Sequence, residues 1–260
     1  MESIESPHNR TFKHLYRLAT DNQYRRKNGV LIVEGKKEID TAIEYGYFIE
    51  SLYLDQKYVA DIPLNEYNHV PSIILHHQLF SKLVYREDSS NMLAVFKEPE
   101  LKLANIKLSG QPLIIILEGI EKPGNVGAIL RTCDAVKADA VIVSRKNHSF
   151  FHPNTIRSSV GTLFSMQLAS ADEEEILQWC KQNRITIYSA ALQTDTEYTR
   201  ADYTGGTAFV MGAEDKGLEE FWRKSSDLII KIPMLGHNDS LNVSVSAAVL
   251  LYEAIRQRRI

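Results

Sequence analysis

The stretch PLIIILEG, residues 112–119, constrains the fold more than any other part of this 260-residue chain. The apolar run Leu113 to Leu117 is far too short to cross a bilayer, and it leaves no polar face for water. A strand of that character must be covered on both sides, as in a parallel sheet between two layers of helices. AVIVS (140–144), ITIYSAA (185–191), GTAFVMG (206–212) and DLIIKIPM (227–234) belong to the same class. Helical patterns lie between them. NVGAILRTCDAVKA (125–138) turns Ile129, Leu130, Cys133 and Val136 inward behind a candidate N-cap at Asn125, and DEEEILQWCKQN (172–183) is a second helix. Five or six parallel strands with intervening helices predict a doubly wound α/β domain, with ligands at the carboxyl ends of its strands.

The first half reads as a smaller α/β unit. VLIVEG is a strand, KKEIDTAIEYG a helix closed by Gly46, IESLYLD a strand, and SIILHHQLFSKLV a strand running into a helix. The polar, non-periodic stretch KEPELKLANIKLSGQP (97–112) marks the boundary, which separates residues 1–106 from 107–260. Ahead of this unit, Phe12, Leu15, Tyr16 and Leu18 form the apolar side of a short helix with a basic back. Arg10, Lys13, Arg17, Arg25, Arg26 and Lys27 alternate there with aromatic rings. Such a pattern is either a solvated helix face or an RNA contact, in which cations neutralise phosphates and rings stack on bases. Arg25, Arg26 and Lys27 are the candidate RNA ligands.

The formal net charge of -3 does not advertise nucleic-acid binding, but an RNA footprint is local. Cys133 and Cys180 are the only cysteines and form no CxxC pair, which argues against a disulfide framework or a zinc site. His148 and His152, like His76 and His77, lack the acidic or cysteine partners of a metal site and read as loop and surface residues. The N-terminus is polar and basic, and no run approaches membrane-spanning length, so a cytoplasmic protein without metal or membrane partner is expected.

Three loops after strands carry candidate chemistry. EGIEKPGNVGAILR has Gly119, Gly124 and Gly127 but matches neither GxGxxG nor a P-loop. A tight turn would explain its glycines, yet Arg131 follows Gly127 by one helical turn. In VMGAEDKGLEE a strand runs into Gly212, Glu214 follows as loop anchor or site residue, and Gly217 permits positive φ. IPMLGHNDSLNVSVS leads into a helix whose Leu241, Val245, Ala248, Tyr252 and Ile255 share one face, with Asp239 or Ser240 as N-cap. Ser240, Asn242 and Ser244 at its start serve either capping or a ligand.

In this order, NVGAILRT, VMGAEDKGL and IPMLGHNDSLNVSVSAA resemble the signature of the SpoU/TrmH family of RNA 2'-O-ribose methyltransferases, of the knotted SPOUT class. IRSSVGTLFSMQL (156–168) is similar to the family's Arg-Ser-Ser-x-Gly stretch, and YRRKNGVLIVEGKKEIDTAI resembles its L30e-like substrate-binding domain. The resemblance implies a deep trefoil knot, a homodimer and S-adenosylmethionine (AdoMet) as cofactor. It further implies an AdoMet pocket lined by Gly212, Ile232, Met234 and Leu241. Arg131 would clamp phosphate and stabilise the developing alkoxide, and Asn125, Glu214, Ser240 and Asn242 would shape the catalytic site. It implies structured RNA as partner, above all 23S ribosomal RNA in the branch that includes thiopeptide-resistance enzymes. Transfer RNA, a catalytically silent RNA-binding relative, and a nucleotide-dependent oxidoreductase are the alternatives; the missing GxGxxG speaks against the last.

Overall fold

A computed structural model of the chain describes residues 1–85, 91–144, 150–213 and 217–259. It forms two compact units, Met1–Pro99 with Phe151–Ser165, and Glu100–Phe150 with Met166–Ile260. The division differs from a single cut near residue 106, because a segment of the second half returns to the first unit.

The first unit runs β1 (Glu2–Ile4), α1 (Arg10–Thr20), α2 (Asn22–Asn28), β2 (Val30–Glu34), α3 (Lys36–Glu44), β3 (Ile49–Asp55), β4 (Ser72–Leu75), α4 (His77–Phe80) and β5 (Met92–Lys97). Its sheet has the order β1-β4-β3-β5-β2, with β5 antiparallel to both neighbours. Sequence patterning does not reveal β1, whose three residues bury only Ile4. Nor does it reveal β5, a short apolar run that could equally be buried helix.

Asn9 caps α1, accepting from the backbone of Thr11 and Phe12, and Phe12, Leu15 and Leu18 face the core. Tyr16, expected beside them, is exposed, since it lies about 100° round the helix from Leu15. A larger correction concerns Arg25, which is only 4% exposed. Its guanidinium donates to the carbonyl of Leu18 and to the side chain of Asn22, closing the end of α1. Arg25 is thus a structural tie. Of the three candidate phosphate ligands, Arg26 and Lys27 alone face solvent.

The second unit continues with β6 (Leu113–Glu118), α5 (Pro123–Ala135) and β7 (Ala140–Ser144). The returning segment then carries α6 (Pro153–Ser159) and α7 (Thr162–Ser165). It is anchored in the first unit by Tyr47, which packs edge-on against Phe151 and Phe164. Next come β8 (Leu168–Ala171), α8 (Glu173–Gln182), β9 (Thr186–Ala190), β10 (Thr207–Met211), α9 (Glu220–Ser225), β11 (Leu228–Ile230) and α10 (Val243–Arg258). The six strands are all parallel, in the order β11-β9-β10-β6-β7-β8. Only β8, the small-residue sequence LASA, has no counterpart in the sequence reading.

One face of this sheet packs Ile114, Ile116, Ile142, Ile187 and Val210 beneath Ile176, Cys180 and Trp222 of α8 and α9. Cys133 and Cys180 are both buried and unlinked. Burial pushes both thiols up, Cys180 to about 12, so neither is a nucleophile near neutral pH. No helix among the described residues is long and apolar enough to cross a membrane.

Two helix starts differ from expectation. Lys122 precedes α5 as its N-cap residue, with Pro123 in the first turn, so Asn125 lies inside the helix. Asn242, and neither Asp239 nor Ser240, caps α10. That helix buries Val243, Ala247, Leu250, Leu251 and Ala254, while Leu241, Val245 and Tyr252 are 39%, 47% and 55% exposed. The stretch is apolar on two sides, so its periodicity could not select the inner one.

The first unit therefore depends on Arg25 as a buried donor. Arg25→Ala should lower the free energy of unfolding by on the order of 2 kcal/mol, the value of hydrogen bonds from a charged group. Arg26→Ala and Lys27→Ala should stay within about 0.5 kcal/mol of wild type. Urea unfolding of the three variants checks this, and equal stabilities would remove the structural role from Arg25.

Candidate functional site

A cavity of about 530 Å³ opens where β9, β10 and β11 end. Its walls are residues 190–193 after β9, Gly212, Ala213, Gly217 and Leu218 after β10, and Ile232, Met234 and residues 239–243 after β11. Lys122, ahead of α5, also lines it. The strand order reverses between β6 and β10, and a ligand crevice is expected at such a switch point.

The loop after β10 is folded back on its own strand. A Cβ at Gly212 would lie 2.5 Å from the carbonyl carbon of Gly217 and 2.6 Å from the nitrogen of Leu218. Gly217 N donates to the Ala213 carbonyl at 2.8 Å, and Gly217 has a φ of +66°. Glycine is thus required at 212 because two backbones meet, and at 217 because the turn is left-handed. Beyond the loop, the Glu219 amide donates to the buried Glu118 carboxylate at 3.0 Å, which ties the start of α9 to the end of β6.

The loop after β11 ends at Asn242, which performs two tasks. Its Oδ1 accepts from the Ser244 backbone at 2.9 Å and from the Ser244 hydroxyl at 2.6 Å, while its Nδ2 donates to Asn125 Oδ1 at 3.2 Å. The Asn125–Asn242 bond joins the first turns of α5 and α10, which pack together.

Gly212, Ile232, Met234 and Leu241, expected around a cofactor, all line this one cavity, together with Ser240 and Asn242. Asn125 reaches the site through Asn242. Arg131 does not line the cavity. It is exposed on α5, six residues beyond Asn125 and roughly 9 Å further along the helix axis. Glu214 lies outside the described residues. The wall at residues 190–193 went unread in the sequence, although its position just after an apolar strand was the available signal.

The cavity fits AdoMet on its own chemistry. Backbone groups of Gly212, Ala213 and Gly217 line it for the polar parts of a ligand, and Leu192, Ile232, Met234 and Leu241 offer apolar surface for a purine. The volume lies within the range of cofactor sites.

Comparison with known proteins places these features in context. Residues 112–252 match the SpoU rRNA Methylase family and residues 9–94 an MRM3-like substrate binding domain. The 23S rRNA (guanosine(2553)-2'-O)-methyltransferase of Bacillus subtilis is 26% identical over 252 residues, covering 97% of this chain and 98% of its own. Among solved structures, an RNA 2'-O ribose methyltransferase shares 34% identity over 99% of this chain and 100% of its own, with a TM-score of 0.82. The SpoU methyltransferase AviRb from Streptomyces viridochromogenes, in complex with AdoMet, shares 28% identity over 96% of this chain and 98% of its own, with a TM-score of 0.88.

The crossing at Gly212 yields a direct test. Gly212→Ala should force the 212–218 crossing apart and lower AdoMet affinity at least tenfold, measured by calorimetry. Wild-type affinity in this variant would mean that the close approach does not shape the cavity.

Proposed function

As a member of the SpoU rRNA methylase family the chain is an AdoMet-dependent RNA 2'-O-ribose methyltransferase, and we propose that its substrate is 23S ribosomal RNA. The observation that carries the choice of RNA is the joint presence of a substrate-binding unit and a SpoU unit, in the arrangement that extends over nearly the whole of a 23S rRNA enzyme. On this reading the first unit, Met1–Pro99 with Phe151–Ser165, binds RNA, the second carries the chemistry, and the protein works in the cytoplasm on ribosomal RNA.

When bound, AdoMet supplies an electrophilic methyl group on a sulfonium. The chain's own task is then to hold the donor and present the ribose 2'-hydroxyl in line, a positioning effect that can contribute roughly 7–11 kcal/mol. Gly212, Ile232, Met234 and Leu241 hold the donor. Asn242, fixed by Asn125 and Ser244, and Ser240 beside it orient the groups at the mouth of the cavity. Glu214 completes the proposed set as a hydrogen-bonding group.

Arg131 grips the phosphate next to the acceptor ribose and stabilises the negative charge that develops on the 2'-oxygen. A guanidinium is a planar, bidentate group, so its part is electrostatic and that of a clamp. Its exposure on α5 supports this role, because a phosphate can reach it without displacing a protein partner. In the first unit the exposed Arg26 and Lys27 face the RNA. Nearby, the Arg17 guanidinium lies 3.9 Å over the ring of Tyr24, whose hydroxyl is 2.8 Å from His14 Nδ1. Such cation–aromatic pairs are suited to phosphate and base together.

The outer face of α10 supports a homodimer. Val245 and Tyr252 place apolar surface in water on a helix whose other face is already buried, and a second copy of the chain would cover it.

Two experiments test the proposal. Arg131→Ala should slow single-turnover methylation of ribosomal RNA at saturating AdoMet about a hundred- to a thousandfold, the loss of one strong transition-state contact. Arg131→Lys should recover little of it, and a rate within a few-fold of wild type would sink the assignment. Separately, Tyr252→Glu should shift the sedimentation coefficient at micromolar concentration from that of a dimer to that of a monomer. A monomeric wild-type protein would remove the dimer from the proposal.

A further inference from the structure

A second cavity, of about 590 Å³, lies wholly within the first unit, and no residue lining it lines the methyl-donor cavity. Its floor is apolar, with Ile32 of β2, Leu93 of β5 and Ile156 of α6. One wall comes from the returning segment, a part of the chain that matches the SpoU family and not the substrate-binding domain. The cavity is therefore completed only when residues 151–165 fold against the first unit.

The rim carries a pre-ordered platform. The Arg157 guanidinium lies 4.0 Å over the ring of Tyr85. It is held there by a 2.7 Å hydrogen bond from Nη1 to Asn154 Oδ1 and by the Glu34 carboxylate 3.6 Å from Nη2. The same Glu34 oxygen accepts from the Tyr85 backbone at 3.1 Å, so one carboxylate positions both halves of the stack. Tyr85 itself remains 74% exposed. A ring and a guanidinium fixed face to face form a stacking surface whose ordering cost is already met by the fold.

Charge on the rim is mixed. Lys36, Lys37 and Arg157 oppose Glu34 and Glu38 among the lining residues, and the buried Arg25 beneath them is engaged by Leu18 and Asn22. The Lys36 ammonium is engaged by Asp40 at 2.7 Å and Glu66 at 2.9 Å, which leaves Lys37 as the solvent-facing cation. His152, also in the lining, accepts from the Asn154 backbone at 3.1 Å through Nδ1, so its proton resides on Nε2. Burial first, and then the field of Arg25, Arg157 and Arg26, holds this imidazole below its ordinary range. The cavity thus combines a solvent-facing cation at Lys37, a neutral donor at His152, an apolar floor and a flat π surface.

A planar, aromatic, anionic ligand uses all of these at once. We infer that the cavity holds one unstacked nucleotide of the RNA substrate, its base stacked on the Tyr85–Arg157 pair and its phosphate at Lys37. The inference rests on the RNA-methyltransferase reading for the source of the nucleotide, and on the geometry above for its chemistry. Base stacking on such a platform is tolerant of sequence, so the cavity secures a strand more than it reads a base.

The test uses the full chain saturated with AdoMet, so that the methyl-donor cavity is filled. A fluorescently labelled pentaribonucleotide is titrated by anisotropy, alongside the same oligomer with an abasic central residue, and with uridine monophosphate and inorganic phosphate as competitors. Tyr85→Ala should weaken binding of the intact oligomer about tenfold or more and leave the abasic oligomer nearly unchanged. Lys37→Ala should lower the slope of log affinity against log salt by about one. The mononucleotide should compete far more weakly than the oligomer. Equal loss for intact and abasic oligomers in Tyr85→Ala, or no loss in either, overturns the proposal. Displacement by uridine monophosphate as effective as by the oligomer would make this a free-nucleotide site, and displacement by phosphate alone a simple anion site; both overturn it. Failure of AdoMet to bind, seen by calorimetry, would instead remove the methyltransferase reading and is distinguishable from each of these results.

Discussion

At Gly212 the backbone leaving β10 passes so close to Gly217 and Leu218 that no side chain can stand between them. Much of the second unit is organised by that crossing. It turns the chain back immediately after the strand, sends Leu218 into the core beneath α8 and α9, and delivers the Glu219 amide to the Glu118 carboxylate at the end of β6. The strand ends on both sides of the switch point are thereby held in one frame. The cavity is the space left between Gly212, Ala213, Gly217 and Leu218 on one side and the two loops that follow β9 and β11 on the other.

The last loop and helix complete that space through a single side chain. Asn242 caps α10 and reaches across to Asn125 in the first turn of α5. Capping fixes where the helix begins, and the cross-link fixes where that beginning lies. Together they keep Ser240 and Leu241 at the cavity wall. Packing of α10 against α5 turns Val243, Ala247, Leu250, Leu251 and Ala254 inward and leaves Val245 and Tyr252 outside.

The first unit makes a comparable use of arginine. Arg25 spends its charge on the end of α1 and is lost to any ligand. Arg157, brought by the returning segment, is held in place by Glu34 and Asn154 yet keeps its stacked face at the rim of a cavity. Two residues of the same chemistry therefore differ in availability, because Arg25 is buried with its acceptors whereas Arg157 is held by its acceptors against a ring that is itself exposed.

Much of this architecture was legible in the residues alone. The apolar runs at 113–117, 140–144, 187–190, 207–211 and 228–230 require a doubly covered parallel sheet, because each would otherwise expose a hydrophobic face to water. The three motif loops likewise identified Gly212, Ile232, Met234, Ser240, Leu241 and Asn242, which the fold gathers at one cavity. Local patterns could not decide what depends on partners distant in sequence. Arg25, Arg26 and Lys27 look alike until Leu18 and Asn22 bury the first of them. The two faces of α10 are equally apolar until α5 covers one, and residues 151–165 read as part of the second half until Tyr47 meets Phe151 and Phe164. Sequence determines which surfaces must leave water; only the tertiary structure determines which surface each one meets, because that choice is made by contacts between segments with no periodic relation to one another.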